Sequence, residues 1–443
     1  MTCFARYARI ASQTLDAGWL MAARPDIVIT GSGVVSPIGI GCEAFWSSLC
    51  NQQSGIGELS GISPANTPYH IGAEIHGFEP KSTITPRKAL KVMSREVQTG
   101  FCAARMAADE ARLTAEQVAP ERLGVMFGAQ MLYCEPVEME TIFRRCSAGG
   151  AFDFSRWGEA SMEEIFPLWM LKYLPNMIGS HIGIAFDARG PSSTICQGEA
   201  SSLLALVEAA WIIQRDDTDV MIVGASSSRI SPTPMVFRTT ANLSCRADSP
   251  QTACRPFDAC RDGSVNGEAA AAFVVENEQF ARARGATILA RVSGWGYSFG
   301  SLDGDGDRHL QAIRHSIRMA LEAARLPPRD VGHVNASAAG IVTRDPLEAQ
   351  AIRAELGDVP VTAPKSFFGD SGAASGAAEM AVSVAALTRG EIPVTLNYEQ
   401  PDPLCPVNVI HGRPRHLDKP NALVLSQSPA GPVVAVVLER ADA

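Results

Sequence analysis

The residues best placed to do chemistry lie in one stretch, Gly190-Pro-Ser-Ser-Thr-Ile-Cys-Gln-Gly-Glu-Ala-Ser-Ser-Leu203. A β-rich segment enters a turn of small residues, and an apolar helix begins near Ala200. Glu199 lies at the tip of this turn. Because backbone N–H groups and the helix dipole favour negative charge at a helix N-terminus, a sharp strand-to-helix turn suits an anionic or nucleophilic side chain.

Three other side chains in this stretch are possible nucleophiles. Cys196 ends the predicted strand, where a cysteine is more often a small buried hydrophobic residue than a reactive thiolate. Ser201 and Ser202 lie on the predicted helix, and no histidine is near them in the sequence to activate them. A serine hydrolase is therefore disfavoured, and Glu199 is the residue to explain.

The same stretch resembles the nucleophile elbow of β-ketoacyl-acyl carrier protein synthases. That elbow reads Gly-Pro-x-x-Thr-Val-Asp-Thr-Ala-Cys-Ser-Ser-Ser-Leu. When the two are aligned without a gap, Glu199 takes the place of the family's acylated cysteine. The family's acyl transfer depends on that thiolate, which a helix dipole activates.

Two further motifs of this family are present, and both have lost their histidine. The family's Asn-Ala-His-Gly-Thr-Ser-Thr-Pro corresponds to Asn335-Ala-Ser-Ala-Ala-Gly-Ile-Val342, so Ser337 replaces the first histidine. Apolar residues replace the two threonines that hydrogen-bond pantetheine. The family's Lys-Ser-x-x-Gly-His corresponds to Lys365-Ser-Phe-Phe-Gly-Asp370, so Asp370 replaces the second histidine.

The resemblance therefore places the family's three catalytic positions at Glu199, Ser337 and Asp370. In the family the two histidines donate hydrogen bonds that stabilise an enolate when malonyl thioester loses CO2. A carboxylate cannot hold a transferable thioester, and serine with aspartate cannot replace two imidazole donors. We expect no Claisen condensation by this chain alone.

The residues that match the family are those that support its fold. The runs Arg255-Pro-Phe-Asp-Ala-Cys-Arg-Asp-Gly263 and Gly267-Glu268 are close to the family's Arg-Pro-Phe-Asp-Ala-x-Arg-Asp-Gly-Phe-x-x-Gly-Glu. By resemblance, six charged residues belong to buried polar networks around the site: Lys365, Glu379, Asp258, Arg261, Asp262 and Glu268. Removing one member of such a network would lower the free energy of unfolding by roughly 3–5 kcal/mol. The presence of these residues is therefore explained by folding and does not require catalysis.

Strands alternate with helices along both halves of the chain, which predicts an α/β protein with a mainly parallel sheet. The resemblance implies a thiolase-like fold, two similar βαβ-type halves in a layered αβαβα arrangement. We place the N-terminal half at 26–276 and the C-terminal half at 277–443, after a loose extension or mispredicted start over 1–25. Residues 129–187 are predicted to be irregular, and the resemblance implies that they line the acyl tunnel and a dimer interface.

Composition excludes several classes of function. The net charge of −9 disfavours nucleic acid or an anionic membrane as the main partner. The 11 cysteines form no disulfide framework or zinc motif, which indicates a reduced, cytoplasmic protein. Gly31-Ser-Gly33 lacks the third glycine of a dinucleotide loop, and Asp303-Gly-Asp-Gly-Asp307 lacks the glycine and glutamate that an EF-hand needs. We expect no metal and no cofactor.

Three functions fit these observations. The first is a non-condensing partner of an active ketosynthase, of the chain-length-factor type found in type II polyketide synthases, acting in polyketide or fatty acid biosynthesis. That partner subunit would reach acyl carrier protein through the ketosynthase. The second is a repurposed acyl-thioester hydrolase or dehydratase, in which Glu199 and Asp370 face one pocket and one of them has a raised pKa. The third is a homodimeric binding or scaffold protein.

Overall fold

The structure is a computed structural model that describes residues 26–62, 69–237, 242–302, 304 and 306–441. The predicted extension over 1–25 lies outside the described residues, as do Asp303 and Asp305 of the acidic turn. Within the described residues, no helix is both long and apolar enough to cross a bilayer.

Among the described residues, the first half carries eight strands and seven helices. The strands are Ile27–Ser36 (β1), Gly39–Ile40 (β2), Ile56–Glu58 (β3), Ile71–Ala73 (β4), Leu123–Gly128 (β5), Ser192–Ile195 (β6), Val220–Ser228 (β7) and Glu268–Asn277 (β8). The helices are Cys42–Cys50 (α1), Arg95–Glu110 (α2), Pro136–Cys146 (α3), Trp157–Glu164 (α4), Met177–Phe186 (α5), Ser201–Gln214 (α6) and Pro232–Phe237 (α7).

The second half continues with a short helix and then repeats the pattern. Its strands are Ala290–Phe299 (β9), His333–Asn335 (β10), Pro360–Thr362 (β11), Glu391–Ile392 (β12), Asn408–Val409 (β13), Arg415–His416 (β14), Asn421–Gln427 (β15) and Pro432–Arg440 (β16). Its helices are Glu278–Ala283 (α8), Asp307–Ala324 (α9), Asp345–Leu356 (α10), Lys365–Phe368 (α11) and Ser375–Arg389 (α12).

The two halves have the same strand order and the same strand directions. In the first half the order is β6-β5-β7-β8-β1, and in the second it is β11-β10-β15-β16-β9. In each half the first three strands of this order pair in parallel and the remaining pairs are antiparallel. A short pairing of β1 with β9 joins them into one twelve-stranded sheet.

Two nearly all-buried helices, α6 and α12, form the central layer. They pack against each other and against strands of both halves, while α2 covers β1 and β8 and α9 covers β9 and β16. The layers are therefore helix, sheet, helix pair, sheet and helix, which confirms the predicted αβαβα arrangement. Because α6 and α12 meet at their N-terminal ends, any site built there draws on both halves.

Three details of the sequence prediction are wrong. The sheet is mixed, since short connections such as residues 428–431 between β15 and β16 allow antiparallel pairing. Residues 129–187 contain three helices, α3 to α5, instead of irregular chain. The β-branched run over 26–30 predicts a strand that ends at Gly31, whereas β1 runs to Ser36, because α2 lies directly over its glycines.

We expect Gly33→Ala to destabilise the fold by about 1–3 kcal/mol, as overpacked cores do. A Cβ at position 33 would lie 2.1 Å from the carbonyl oxygen of Ala103 on α2, so the helix would have to move. Gly61→Ala is the matched control, because a Cβ there meets nothing within 4 Å. Urea unfolding measures both, and equal midpoints for the two variants would contradict this packing.

Candidate functional site

The turn that carries Glu199 is held from several sides. A 3-10 turn over Gly198–Ala200 links β6 to α6. Gly198 has φ +61° and a Cβ there would lie 2.4 Å from Ser428 Oγ, so the turn requires glycine. Ser201 Oγ donates to the Gly198 carbonyl oxygen at 2.6 Å, and Ser426 Oγ donates to the Glu199 carbonyl oxygen at 2.8 Å. These bonds fix the Glu199 backbone at the start of α6.

The second half supplies an equivalent turn, and Asp370 lies two residues before it. A 3-10 turn over Gly372–Ala374 leads into α12. Asp370 Oδ1 accepts hydrogen bonds from the Gly372 N–H and from Ser375 Oγ, both at 3.0 Å. Asp370 therefore caps the N-terminal end of α12, where negative charge is favoured.

Arg229 lies between the two carboxylates and binds both. It follows the end of β7, and its Nη2 donates to Glu199 Oε1 at 2.6 Å while its Nη1 donates to Asp370 Oδ2 at 2.5 Å. The side chains of Glu199, Arg229 and Asp370 are only 4%, 9% and 3% exposed. We call this arrangement the Arg229 bridge. Glu199 and Arg229 belong to the first half and Asp370 to the second, so the bridge joins the two halves.

The bridge keeps both carboxylates ionised. Burial opposes ionisation of Glu199, but the charges of Arg229 and Arg344 and the hydrogen bond from Arg229 together outweigh it, and the pKa of that carboxyl is lowered. For Asp370 burial is likewise outweighed by Arg229 and Lys365, and its pKa is lowered strongly. The expectation that one of these carboxyls has a raised pKa is wrong, because an arginine that the sequence reasoning did not consider separates them.

Ser337 lies beside a different ion pair. Lys365 Nζ bonds Glu379 Oε1 at 2.5 Å, the Ser337 carbonyl oxygen at 2.7 Å and Ser337 Oγ at 3.2 Å. Burial opposes protonation of Lys365, but Glu379 outweighs it and the pKa of the lysine is raised. The Ser337 N–H donates to Glu348 Oε1 at 2.8 Å. Ser337 therefore serves this network and does not line the cavity beside Glu199.

Three of the other support residues are well buried and one is not. Asp258 accepts three backbone N–H bonds and one from Arg255, and Arg261 binds Asp402 at 2.5 Å. Glu268 accepts from Arg95 and from the Ile75 N–H. Asp262 pairs with Arg246 at 3.5 Å, and both side chains are 36% exposed. Its predicted place in a buried network is wrong, because it faces outward from the turn.

Within the part of the chain that the structure describes, the alternative nucleophiles have no activating partner. Cys196 is exposed at the end of β6, and desolvation raises the pKa of its thiol, the opposite of what a thiolate nucleophile needs. Ser201 Oγ is used within the turn. Ser202 Oγ is buried without a hydrogen-bond partner among the described residues.

A cavity of about 160 Å³ opens beside the Arg229 bridge. Besides the three bridge residues its polar lining includes Arg344 and Asn266, and its apolar lining includes Leu243 and Ile341. Among the described residues no group of three His, Cys, Asp or Glu side chains is arranged to hold a metal ion. The cavity is therefore small, charged and enclosed by both halves of the chain.

Comparison with known proteins identifies the family. Residues 24–281 match the N-terminal domain of β-ketoacyl synthases, and residues 289–399 match their C-terminal domain. The chain belongs to the β-ketoacyl synthase family. This confirms the resemblance stated from the elbow and from the motifs around Ser337 and Asp370.

The similar proteins within this family include type II polyketide synthase subunits. A putative polyketide β-ketoacyl synthase 1 of Streptomyces halstedii is 32% identical over 93% of this chain and 97% of its own length. The ketoacyl synthase beta subunit of the tetracenomycin polyketide synthase of Streptomyces glaucescens is 29% identical over 95% and 100%. The ishigamide ketosynthase/chain length factor structure has a TM-score of 0.82, at 26% identity over 95% and 100%.

Sequence reasoning missed Arg229 and Arg344. Lys365, which the resemblance places in a buried polar network around the site, binds Glu379. A signal did exist, because two acidic residues predicted to be buried in one pocket require a cation. Arg229 could have been proposed as that cation, because it directly follows β7, a buried strand that ends in three serines.

We expect Arg229→Met to destabilise the protein by about 3–5 kcal/mol, because it removes the cation that is hydrogen-bonded to both buried carboxylates. Arg215→Met is the control, since Arg215 is 49% exposed in its ion pairs and its loss should cost less than about 1 kcal/mol. Combining Arg229→Met with Glu199→Gln and Asp370→Asn should recover most of the loss. Urea unfolding tests this, and an Arg229→Met midpoint like that of Arg215→Met would contradict the bridge.

Glu348 should make stability depend on pH. Burial raises the pKa of its carboxyl from about 4.5 to about 8, so between these values the folded chain holds a proton that the unfolded chain has lost. The protonated Glu348 carboxyl contributes its full stability to the fold at low pH, and this stability is lost as the pH rises from about 4.5 through about 8. Relative to wild type, Glu348→Gln should therefore gain stability with rising pH, by at most about 1.4 kcal/mol per pH unit. The exposed Glu159→Gln should show no such trend, and a constant difference for Glu348→Gln would refute the shift.

Proposed function

We propose that this chain is a non-condensing, chain-length-factor-type subunit that pairs with an active β-ketoacyl synthase in polyketide or fatty acid biosynthesis in the cytoplasm. The observation that carries the proposal is the Arg229 bridge. At the positions where the family places its acylated cysteine and one histidine, this chain has two carboxylates held by one arginine.

The bridge is unsuited to acyl transfer. A nucleophile that accepts an acyl group must attack the thioester carbonyl carbon with a free lone pair. Glu199 Oε1 instead accepts a hydrogen bond from Arg229 Nη2 at 2.6 Å. Its lowered pKa also weakens the carboxylate as a nucleophile and as a proton acceptor. The same argument disfavours a hydrolase or dehydratase that uses Glu199 with Asp370.

The surface of the first half supports pairing with another subunit. Ten of the fourteen exposed large hydrophobic residues among the described residues fall between positions 131 and 184, where they form what we call the apolar surface: Met131, Val137, Phe143, Phe152, Phe154, Met162, Phe166, Leu168, Met170 and Ile184. Exposed apolar patches of this kind mark protein interfaces. The apolar surface lies within residues 129–187, the stretch that the family resemblance assigns to a dimer interface.

An open strand edge lies next to this surface. Strand β6 ends the large sheet and pairs only with β5 among the described strands, and Ser192 and Ser193 on it are exposed. Helix α5, which carries Ile184, packs against β5 and β6. An unpaired edge beside an apolar surface is suited to continuing the sheet into a partner subunit.

Co-expression with an intact ketosynthase from the same organism tests the pairing. We expect the two chains to co-purify and to elute together in gel filtration. Phe154→Asp and Met162→Asp, at side chains 73% and 87% exposed, should abolish the complex without unfolding the chain. Leu404→Asp is the control, because Leu404 is 61% exposed but lies in the other half. A stable homodimer of this chain that does not bind the ketosynthase would favour the scaffold function instead.

An acyl-loading assay distinguishes a non-condensing partner subunit from a repurposed acyl-thioester enzyme. After incubation of the complex with acyl-carrier protein thioester, intact mass spectrometry should find the acyl group on the ketosynthase and none on this chain. The purified chain alone should release no acyl group. Thioester turnover by the isolated chain that disappears in Glu199→Ala would overturn the proposal.

A further inference from the structure

The cavity beside the Arg229 bridge contains a guanidinium without a partner. Arg344 immediately precedes α10 and lines the cavity together with Glu199 and Asp370. Its side chain forms no hydrogen bond or ion pair with any residue in the described ranges. Both bridge carboxylates are bound by Arg229 instead.

The charge of Arg344 nevertheless reaches the bridge. It contributes to the lowered pKa of Glu199 and, to a smaller extent than Arg229 and Lys365, to that of Asp370. These contributions agree with its place in the cavity wall. Two arginines and two carboxylates therefore share the space, and only three of these four groups are paired.

A second unpartnered group lies in the same wall. Asn266 is 8% exposed, and its side-chain amide makes no hydrogen bond with the described residues. Buried amides ordinarily find a partner, so one that points to a cavity is available to a ligand or to ordered water. Asn266 is held in place by backbone pairing with Asp370, which carries one end of the bridge.

The chemistry of these groups selects the ligand class. A guanidinium presents paired N–H donors that match the two oxygens of a carboxylate or phosphate, and an amide N–H₂ adds a third donor. A cavity of about 160 Å³ holds several waters or a small organic acid, and Leu243 and Ile341 offer contact to a short aliphatic part. We propose that this cavity binds a small carboxylate or phosphate anion through Arg344 and Asn266.

The proposal does not rest on the partner-subunit function, because it requires only the cavity. Its test is thermal unfolding of the purified chain, titrated with sodium acetate, sodium propionate or inorganic phosphate at constant ionic strength. We expect a saturable rise in melting temperature, as for any ligand that binds only the folded state. Acetate or propionate acting at lower concentration than phosphate would identify a carboxylate site, and the reverse order a phosphate site.

Variants decide whether the named residues hold the anion. Arg344→Gln should remove the saturable rise, while Arg344→Lys should keep part of it and Asn266→Ala should weaken it. Arg353→Gln on the outer side of the same helix removes an equal charge from an exposed pair with Asp358 and should behave as wild type. No saturable rise with any of the three probes, or the same rise in Arg344→Gln, would overturn the proposal and leave the cavity to water. Loss of ketosynthase pairing in the earlier co-purification would leave this result unaffected.

Discussion

The structure depends on one buried guanidinium. Arg229 holds Glu199 at the start of one central helix and Asp370 at the start of the other, so each half of the chain closes on the same cation. Without it, two carboxylates at the meeting point of both helices would repel each other in a place that water scarcely reaches. The planar fork of arginine suits this task, since each terminal nitrogen serves one carboxylate.

The proposed function requires a condensing frame that persists without condensing chemistry, and the bridge accounts for it. The turn at Gly198, the Lys365–Glu379 pair and the backbone bonds of Asp258 hold the same regions that a catalytic site would need to be rigid. These contacts stabilise the fold whatever residue stands at position 199. Selection for assembly alone is therefore enough to retain them, and the site can exchange a nucleophile for an ion pair.

Much of the fold followed from local pattern, and much of the site did not. The sequence predicts strands over 123–128, 219–225 and 269–276 and a helix over 345–356, which the structure shows as β5, β7, β8 and α10, because each is decided by neighbouring residues. Strand β1 was cut short at Gly31 because a glycine ordinarily ends a strand, whereas here it admits α2. Arg229 binds Asp370 across 141 positions, and no local pattern reports such a contact.

The cavity and the surface together indicate where an acyl chain could be handled. A space of about 160 Å³ lined by Glu199, Arg229, Arg344 and Asp370 would force an alkyl chain against unsolvated charges, which is unfavourable. The apolar surface between positions 131 and 184, in contrast, has no charge to desolvate at its exposed aromatic and methionine side chains. If this chain shapes an acyl tunnel, the apolar wall must therefore come from that surface and its partner, with the polar cavity kept apart for smaller, charged molecules.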